Sequence, residues 1–268
     1  MSDMPKKTLG LLFAVVVFVF LGSFFYSGDP YALHKEAILA APSWQFPFGT
    51  DRLGRDLLAR VIEGGKVSLI IGVGSALIAT FIGFILGAVA GYARGLVDKA
   101  FVVVVDLFLT FPTFFLLLAL VSYVNASALV LIVIISITGW MTTARLIRSE
   151  SFAITQQPFI KILKIAGVSR RKILLKYYAP LLAPIFFVSF TFGVGGAILA
   201  ESGLSFLGLG IVAPQMSWGT ILSNGKEVID IAWWVSFFPG LMIFFVTLSL
   251  MNLANWLQQR TNQKKIQI

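Results

Sequence analysis

A chain of 268 residues that is 58% hydrophobic and only 12% charged holds about half the charge of an ordinary soluble domain, where roughly a quarter of residues are charged, and a mean hydropathy of +0.91 excludes a surface that faces water throughout. It has no cysteine, which excludes disulfides and thiolate metal sites. Its net charge of +9 would fit a nucleic-acid binder, but the placement of that charge argues for membrane topology.

A transmembrane helix needs about 20 mostly apolar residues to cross about 30 Å of hydrocarbon, and six stretches qualify. The first is 8–26, wholly apolar over 11–20. Lys6 and Lys7 ahead of it resemble the start of a secretory signal, but the run is longer than a usual signal core and no small-x-small cleavage site follows near Ser27. It reads as a retained helix. The others are 68–92, 101–124, 128–144, 177–199 and 233–256. Six spans put both termini on one side. With the N-terminus inside, the inner segments hold 15 of the 21 basic residues and three acids, whereas the outer segments hold six basic residues and eight acids. The positive-inside rule therefore selects N-in, C-in.

Two external segments are long. Residues 27–67 include a turn-rich stretch at 41–56. Residues 201–232 are too apolar for a solvated loop and, with Gly203, Gly208 and Gly210, too broken for a crossing helix. Folding back against the outer mouth of the bundle satisfies both features. With no tandem repeat, linker or low-complexity tract, residues 1–268 read as one transmembrane domain.

The inner segment 145–176 is basic yet keeps helical apolar spacing at Ile160, Leu163 and Gly167 and again at Ile173 and Leu174. Pro158 is suited to start a helix, Gly167 to break it, and Ser169 to cap a second short helix at Arg170. Two short amphipathic helices would lie on the membrane or present a ridge to another protein; a solvated basic loop that merely holds topology is the other reading.

The run 159–169, containing Phe159, Ile160, Lys161, Leu163, Lys164, Gly167 and Ser169 and followed by Ile173 and Pro180, resembles the coupling loop of bacterial ABC importer permeases. That pattern is Glu-Ala-Ala-x-x-x-Gly, then an Ile and a Leu-Pro at fixed distances. Lys161, Ile162 and Leu163 stand at the Glu-Ala-Ala, Ala179 replaces the Leu, and Gly167 is in place. Residues 48–60, with Gly49, Thr50, Asp51, Gly54, Arg55 and Asp56, look like the external signature of the peptide/nickel importer subfamily in the form borne by its second, C-type permease. Residues 204–210, then Ala213-Pro214-Gln215 and Ser217-Trp218-Gly219, look like its segment after the fifth helix, and Asp106 with Phe111-Pro112 looks like its third. Asn252-Leu253-Ala254-Asn255-Trp256 departs from the family's Asn-Leu-x-Gly-Asp.

The resemblance implies an all-α fold of six transmembrane helices, the type I ABC importer permease, in the bacterial cytoplasmic membrane. It further implies half of a translocation pathway completed by a second homologous permease, two cytoplasmic ATPases that hydrolyse ATP with Mg, and an external binding protein that delivers peptides, nickel or nickel chelates. This chain would be a non-catalytic subunit binding no cofactor or metal itself. The sequence agrees that hydrolysis lies elsewhere: Gly65-Lys66 lacks both the preceding glycine and the following hydroxyl of a phosphate-binding loop. An ion-coupled secondary transporter is the competing class, and it would normally use several intramembrane charges; Asp106 is the one acid inside an expected span.

Asp106 is expected to pair with a base such as Arg94 or Lys99, to support helix packing, or to act in the pathway. Pro112, Gly193, Gly195 and Gly196 are candidates for gating or packing. Gly83, Gly87 and Gly91 make two Gly-x-x-x-Gly steps, which favour close helix packing. His34, the sole histidine, has no clustered partner and is a poor metal ligand alone. Asp51, Arg55 and Asp56 would either form a structural ion-pair network or dock the binding protein.

Overall fold

The computed structural model describes residues 5–266, without the side chains of Lys164, Lys264, Lys265 and Ile266; Asp3, used in the charge count, lies outside them. The described residues form ten α-helices: α1 (Lys6–Phe25), α2 (Leu57–Ala93), α3 (Gly95–Leu109), α4 (Thr113–Val121), α5 (Ala128–Gln156), α6 (Pro158–Ile165), α7 (Arg170–Ile173), α8 (Ala179–Phe206), α9 (Trp218–Lys226) and α10 (Trp234–Ile266). A π-helical turn at Leu174–Tyr178 joins α7 to α8. Five helical runs are long and apolar enough to cross a membrane: α1, α2, α5, α7 through α8, and α10; α3 and α4 supply the sixth as a bent pair.

That bend corrects the third expected span. Residues 101–124 are not one rod, since α3 and α4 meet at 76°. Pro112 lacks an N–H and disfavours helical geometry at the residue before it, and the Thr110 hydroxyl donates to the Leu107 carbonyl to close the last turn of α3. The helix restarts at Thr113, directly after the proline.

Further boundaries move. α2 already begins at Leu57, so 57–67 are helical rather than part of the external segment 27–67, and α10 runs past 256 to Ile266. α5 continues past 144 to Gln156, because polar and basic residues end a hydrophobic span without ending helical hydrogen bonding. α8 likewise runs past 199 to Phe206, so Glu201 and Gly203 are helical rather than part of an external loop. By these bounds Asp106 is not the one acid within a span: Glu63 of α2, Asp98 of α3, Glu150 of α5 and Glu201 of α8 also lie within the spanning runs.

α2 is the spine of the bundle. It starts on Asp56, whose carboxylate accepts from the Leu58 and Ala59 amides, and ends where Arg94 and Gly95 both take positive φ, 57° and 61°. Its glycines set the approach of α5. A Cβ on Gly83 would lie 2.7 Å from the Trp140 carbonyl oxygen, one on Gly91 2.5 Å from that of Arg148, and one on Gly87 closer still to that of Ala144. These neighbours are backbone atoms and cannot swing aside. The same seam is laced by hydroxyls: Ser151 donates to the Ala88 carbonyl at 3.0 Å and Ser136 to that of Ser75 at 3.2 Å. Hydrocarbon gives helices no hydrophobic reason to associate, so such close contact supplies the attraction.

The buried side chains form three clusters. One gathers Leu57, Val61, Trp218 and Val235 and continues along the helices to Ala76, Val246 and Leu250. A second holds Ile71, Leu117, Leu131 and Leu204 with Val121, Ala126 and Ile211. An inner cluster holds Ile147, Ile160, Ile173 and Tyr178.

Gly87→Val is expected to destabilise the purified protein by at least the roughly 1–3 kcal/mol typical of overpacking, seen as a lower midpoint of thermal unfolding in detergent. Gly10→Val, where an added Cβ meets nothing within 4 Å, should leave the midpoint unchanged.

Candidate functional site

At the inner end, Gln157 leaves α5 in extended geometry and Pro158 opens α6. Gly167 has φ +71° and an added Cβ there would meet nothing within 4 Å, so glycine is required by the backbone and not by crowding. The Val168 amide donates back to the Leu163 carbonyl at 3.1 Å, the bonding of a glycine-terminated helix end. Ser169 occupies the cap position of α7, but its side chain makes no cap bond. Pro180 lies in the first turn of α8, just after the π-helical turn.

The two short helices are anchored. Ile160 and Ile173 are buried in the inner cluster beside Tyr178, which a solvated loop would not show. Their other faces are open. Ile162 is 64% exposed and Ile165 88% exposed, Phe159 is also exposed, and Lys161, Arg170, Arg171 and Lys172 are exposed on the same two short helices. The backbone of Lys164 belongs to α6, while its side chain lies outside the described residues. The result is an apolar tip with a basic rim, held on a rigid base.

Asp106 pairs with Arg145 of α5, not with Arg94 or Lys99. Farther in, Asp98 accepts from Arg148, at 2.7 Å to its terminal nitrogen. Both pairs tie α3 to α5, and Asp106, Arg145 and Arg148 line a cavity of about 290 Å³ with Phe101, Val102 and Val105. Pro112 marks the α3–α4 bend. A Cβ added at Gly193 would lie 3.2 Å from that of Ala76 and one at Gly195 3.9 Å from that of Leu250, whereas one at Gly196 would meet nothing within 4 Å.

On the outside, the residues of the 49–56 motif turn inward. Asp51 accepts from the Leu53 and Arg55 amides, from Arg55 Nε at 2.8 Å, and pairs with buried Arg60 at 3.4 Å. Thr50 accepts from the Ala40 amide at 2.8 Å and donates to the Ala37 carbonyl, and Trp234 Nε1 donates to the Thr50 carbonyl at 3.1 Å. Gly49 and Gly54 hold positive φ, +76° and +72°, against backbone on one side that leaves no room for a side chain. Besides capping α2, Asp56 accepts from the Tyr26 hydroxyl at 2.5 Å; burial, then that hydrogen bond to the carboxylate, pushes the tyrosine hydroxyl above its ordinary range. The motif thereby locks the outer ends of α1, α2 and α10 together. Asp51 makes ion pairs with Arg55 and Arg60, whereas Asp56 accepts only uncharged donors, the Leu58 and Ala59 amides and the Tyr26 hydroxyl. His34 is exposed and packs over Phe46 at 5.3 Å; among the described residues no three His, Cys, Asp or Glu side chains come together as a metal group.

Sequence reading misses Glu201. It is 0% exposed, and its Oε1 accepts from Ser217 Oγ at 2.6 Å and Ser205 Oγ at 2.7 Å. Ser217 also caps α9 through a reciprocal box with Thr220. The next residue, Trp218, is bonded on both sides to α2: its amide donates to Ser68 Oγ at 3.0 Å and its indole to the Val61 carbonyl at 2.8 Å. One carboxyl thus sits where α8, α9 and α2 meet, among hydroxyls. A buried charge without a cation is costly unless hydrogen bonds compensate it, and serines at 202, 205 and 217 following a lone acid are the available signal. With Arg60, Glu63, Lys66 and Glu201 all counted into the helical runs, the outer side keeps six acids against four basic residues, and the orientation stands.

Residues 83–263 match the family model described as binding-protein-dependent transport system inner membrane component. The oligopeptide transport system permease protein OppC of Haemophilus influenzae is 33% identical over 245 residues, covering 91% of this chain and 78% of that one. OppC of Mycobacterium bovis is 35% identical over 216 residues, covering 80% and 74%. Among solved structures, an inward-facing conformation of the MetNI methionine ABC transporter aligns with a TM-score of 0.57 at 14% identity, covering 74% of this chain and 96% of that one; at that identity the likeness is one of fold.

Glu201→Leu strands the Ser205 and Ser217 hydroxyls in the core, each unsatisfied group being worth about 1–3 kcal/mol. It should lower the unfolding midpoint clearly more than Glu201→Gln, which keeps an acceptor; equal shifts would contradict the hydroxyl-hub account. Removing Asp51 leaves Arg60 buried without its charge partner, a loss on the order of 3–5 kcal/mol. Limited proteolysis of Asp51→Ala should cut within 27–56 much faster than in the wild type.

Proposed function

The chain belongs to the family of binding-protein-dependent transport system inner membrane components, and on that premise we propose that it is one of two homologous permeases in an ATP-driven importer of peptides. It is a multi-pass protein of the bacterial cytoplasmic membrane with the type I ABC permease fold. The relatives cited are oligopeptide permeases, which is why peptides, rather than nickel or its chelates, are the cargo proposed. The ion-coupled alternative finds no support in the family.

The observation that carries the proposal is the inner loop. Its apolar tip at Ile162 and Ile165 is exposed beyond the spans while its base is fixed in the bundle by Ile160 and Ile173. A surface of this kind suits a groove on a cytoplasmic ATPase, with Phe159, Lys161, Leu163, Lys164, Gly167 and Ser169 giving the tip its shape. Displacing the tip would displace α8, since α7, the π-helical turn and α8 are one continuous run. Two ATPases would hydrolyse ATP with Mg, a second permease would complete the pathway, and an external protein would hand over the peptide. The whole chain, 1–268, acts as a single transmembrane domain in this scheme.

The test is copurification with the importer's ATPase subunits, expressed together with this chain. Wild-type protein should bring them down; Ile165→Asp, which leaves the backbone alone, and Gly167→Asp, which forces a non-glycine side chain into left-handed geometry at a cost of about 1–2 kcal/mol, should lose them or leave ATP hydrolysis uncoupled from uptake. Full coupling in both variants would refute the loop assignment.

A further inference from the structure

The inner parts of α3 and α5 are tied by charge at two levels. Asp106 pairs with Arg145, and farther in along α3 Asp98 pairs with Arg148. Along this seam runs the cavity of about 290 Å³, whose lining combines Asp106, Arg145 and Arg148 with the apolar side chains of Phe101, Val102 and Val105.

The ion pairs do not use up their groups. Asp106 and Arg145 are each 54% exposed. Arg145 gives one terminal nitrogen to Asp106 Oδ1, although a guanidinium has five N–H donors. Among the described residues its other donors meet no acceptor, and Asp106 Oδ2 accepts from no donor. Arg148 is more enclosed and commits its Nε and one terminal nitrogen to Asp98.

Depth and surroundings narrow what such a seam can hold. Arg145 directly follows the apolar window 128–144, so with the N-terminus inside it stands where hydrocarbon gives way to the inner headgroups. The exposed residues beside the charges are apolar: Val103, Leu107 and Phe108 on α3 and Leu146 on α5. A water-filled passage would surround its charges with further polar groups, whereas an apolar border suits acyl chains. Basic pockets between helices on the cytoplasmic side are places where lipid headgroups bind.

We propose that the α3–α5 seam is a site for a phospholipid whose headgroup joins a phosphodiester to a primary ammonium, phosphatidylethanolamine of the inner leaflet. The phosphate lies on the open N–H groups of Arg145, the ammonium donates to Asp106 Oδ2, and the acyl chains run over Leu107 and Phe108. Asp98, Asp106, Arg145 and Arg148 sum to zero charge, so a headgroup without net charge leaves the seam balanced, and an anionic one adds a charge that nothing there offsets. The cavity is just under the roughly 300 Å³ at which sites for whole small ligands begin, which fits a headgroup whose chains stay outside. Bound there, the lipid braces α3 against the helix that leads into the inner loop.

The complete transporter, purified in detergent and stripped of lipid, is titrated with dioleoyl phosphatidylethanolamine, phosphatidylcholine or phosphatidylglycerol, and bound lipid is counted by native mass spectrometry. Wild-type complex should retain one phosphatidylethanolamine more than the assembled Val102→Trp complex, in which an indole fills the cavity and both ion pairs keep their residues. It should hold that lipid at least about tenfold more tightly than phosphatidylcholine, the worth of one charge-assisted hydrogen bond, because the methylated ammonium has no N–H to donate. Asp106→Asn should erase this difference. Equal retention of the two lipids by the wild type, tighter retention of phosphatidylglycerol, or the same lipid count in wild type and Val102→Trp overturns the proposal.

Discussion

The bundle depends on how narrow α2 is. Six of its glycines face other elements at distances that would crowd any side chain: Gly64 and Gly65 against Ser217, Trp218 and Val19, Gly72 against Ile198, and Gly83, Gly87 and Gly91 against the backbone of α5. In lipid the attraction between helices comes from such close packing and from hydrogen bonds between them. Where the spacing opens instead, at Gly196, the packing leaves a cavity of about 210 Å³.

The ends of this spine are fixed by different physics. Outside, capping and ion pairing dominate: Asp56 holds the first turn of α2, Asp51 gathers Arg55 and Arg60, and Glu201 holds α9 onto α8 through hydroxyls. Inside, charge pairs between α3 and α5 and the burial of Ile160 and Ile173 fix the base of the exposed loop. A displacement at the loop therefore meets a rigid run of helix rather than a chain of soft contacts. Rigid-body movement between two packings is the kind of change such a frame transmits, and within it the chain bends by 76° at Pro112.

Much of this is legible in the sequence. Hydropathy finds the helices and charge orients them, because both follow from the cost of polar groups in hydrocarbon. The errors have one source: hydropathy marks where the membrane ends, not where the helix ends. α5 and α8 run past their apolar windows, and Glu201 reads as external because an acid looks like a boundary. Its serines, including Ser217, sixteen residues away, make it tolerable inside. Sequence proximity matches Asp106 with Arg94 and Lys99, while its partner Arg145 comes from another helix. Pro112 stands out as a residue but not as a break, since the apolar run continues on both sides of it. The external motif is found by resemblance, and only the fold reveals that Asp51, Gly54 and Asp56 point inward to hold three helices.

The central claim is that this chain is a passive half-pathway driven through its inner loop. It is tested most directly in proteoliposomes containing the assembled transporter and its external binding protein, by following labelled trialanine with ATP and Mg on the ATPase side and no ion gradient. The account predicts uptake that requires ATP hydrolysis and is unaffected when ionophores collapse every gradient. Uptake that persists without ATP and vanishes with the ionophores would contradict it.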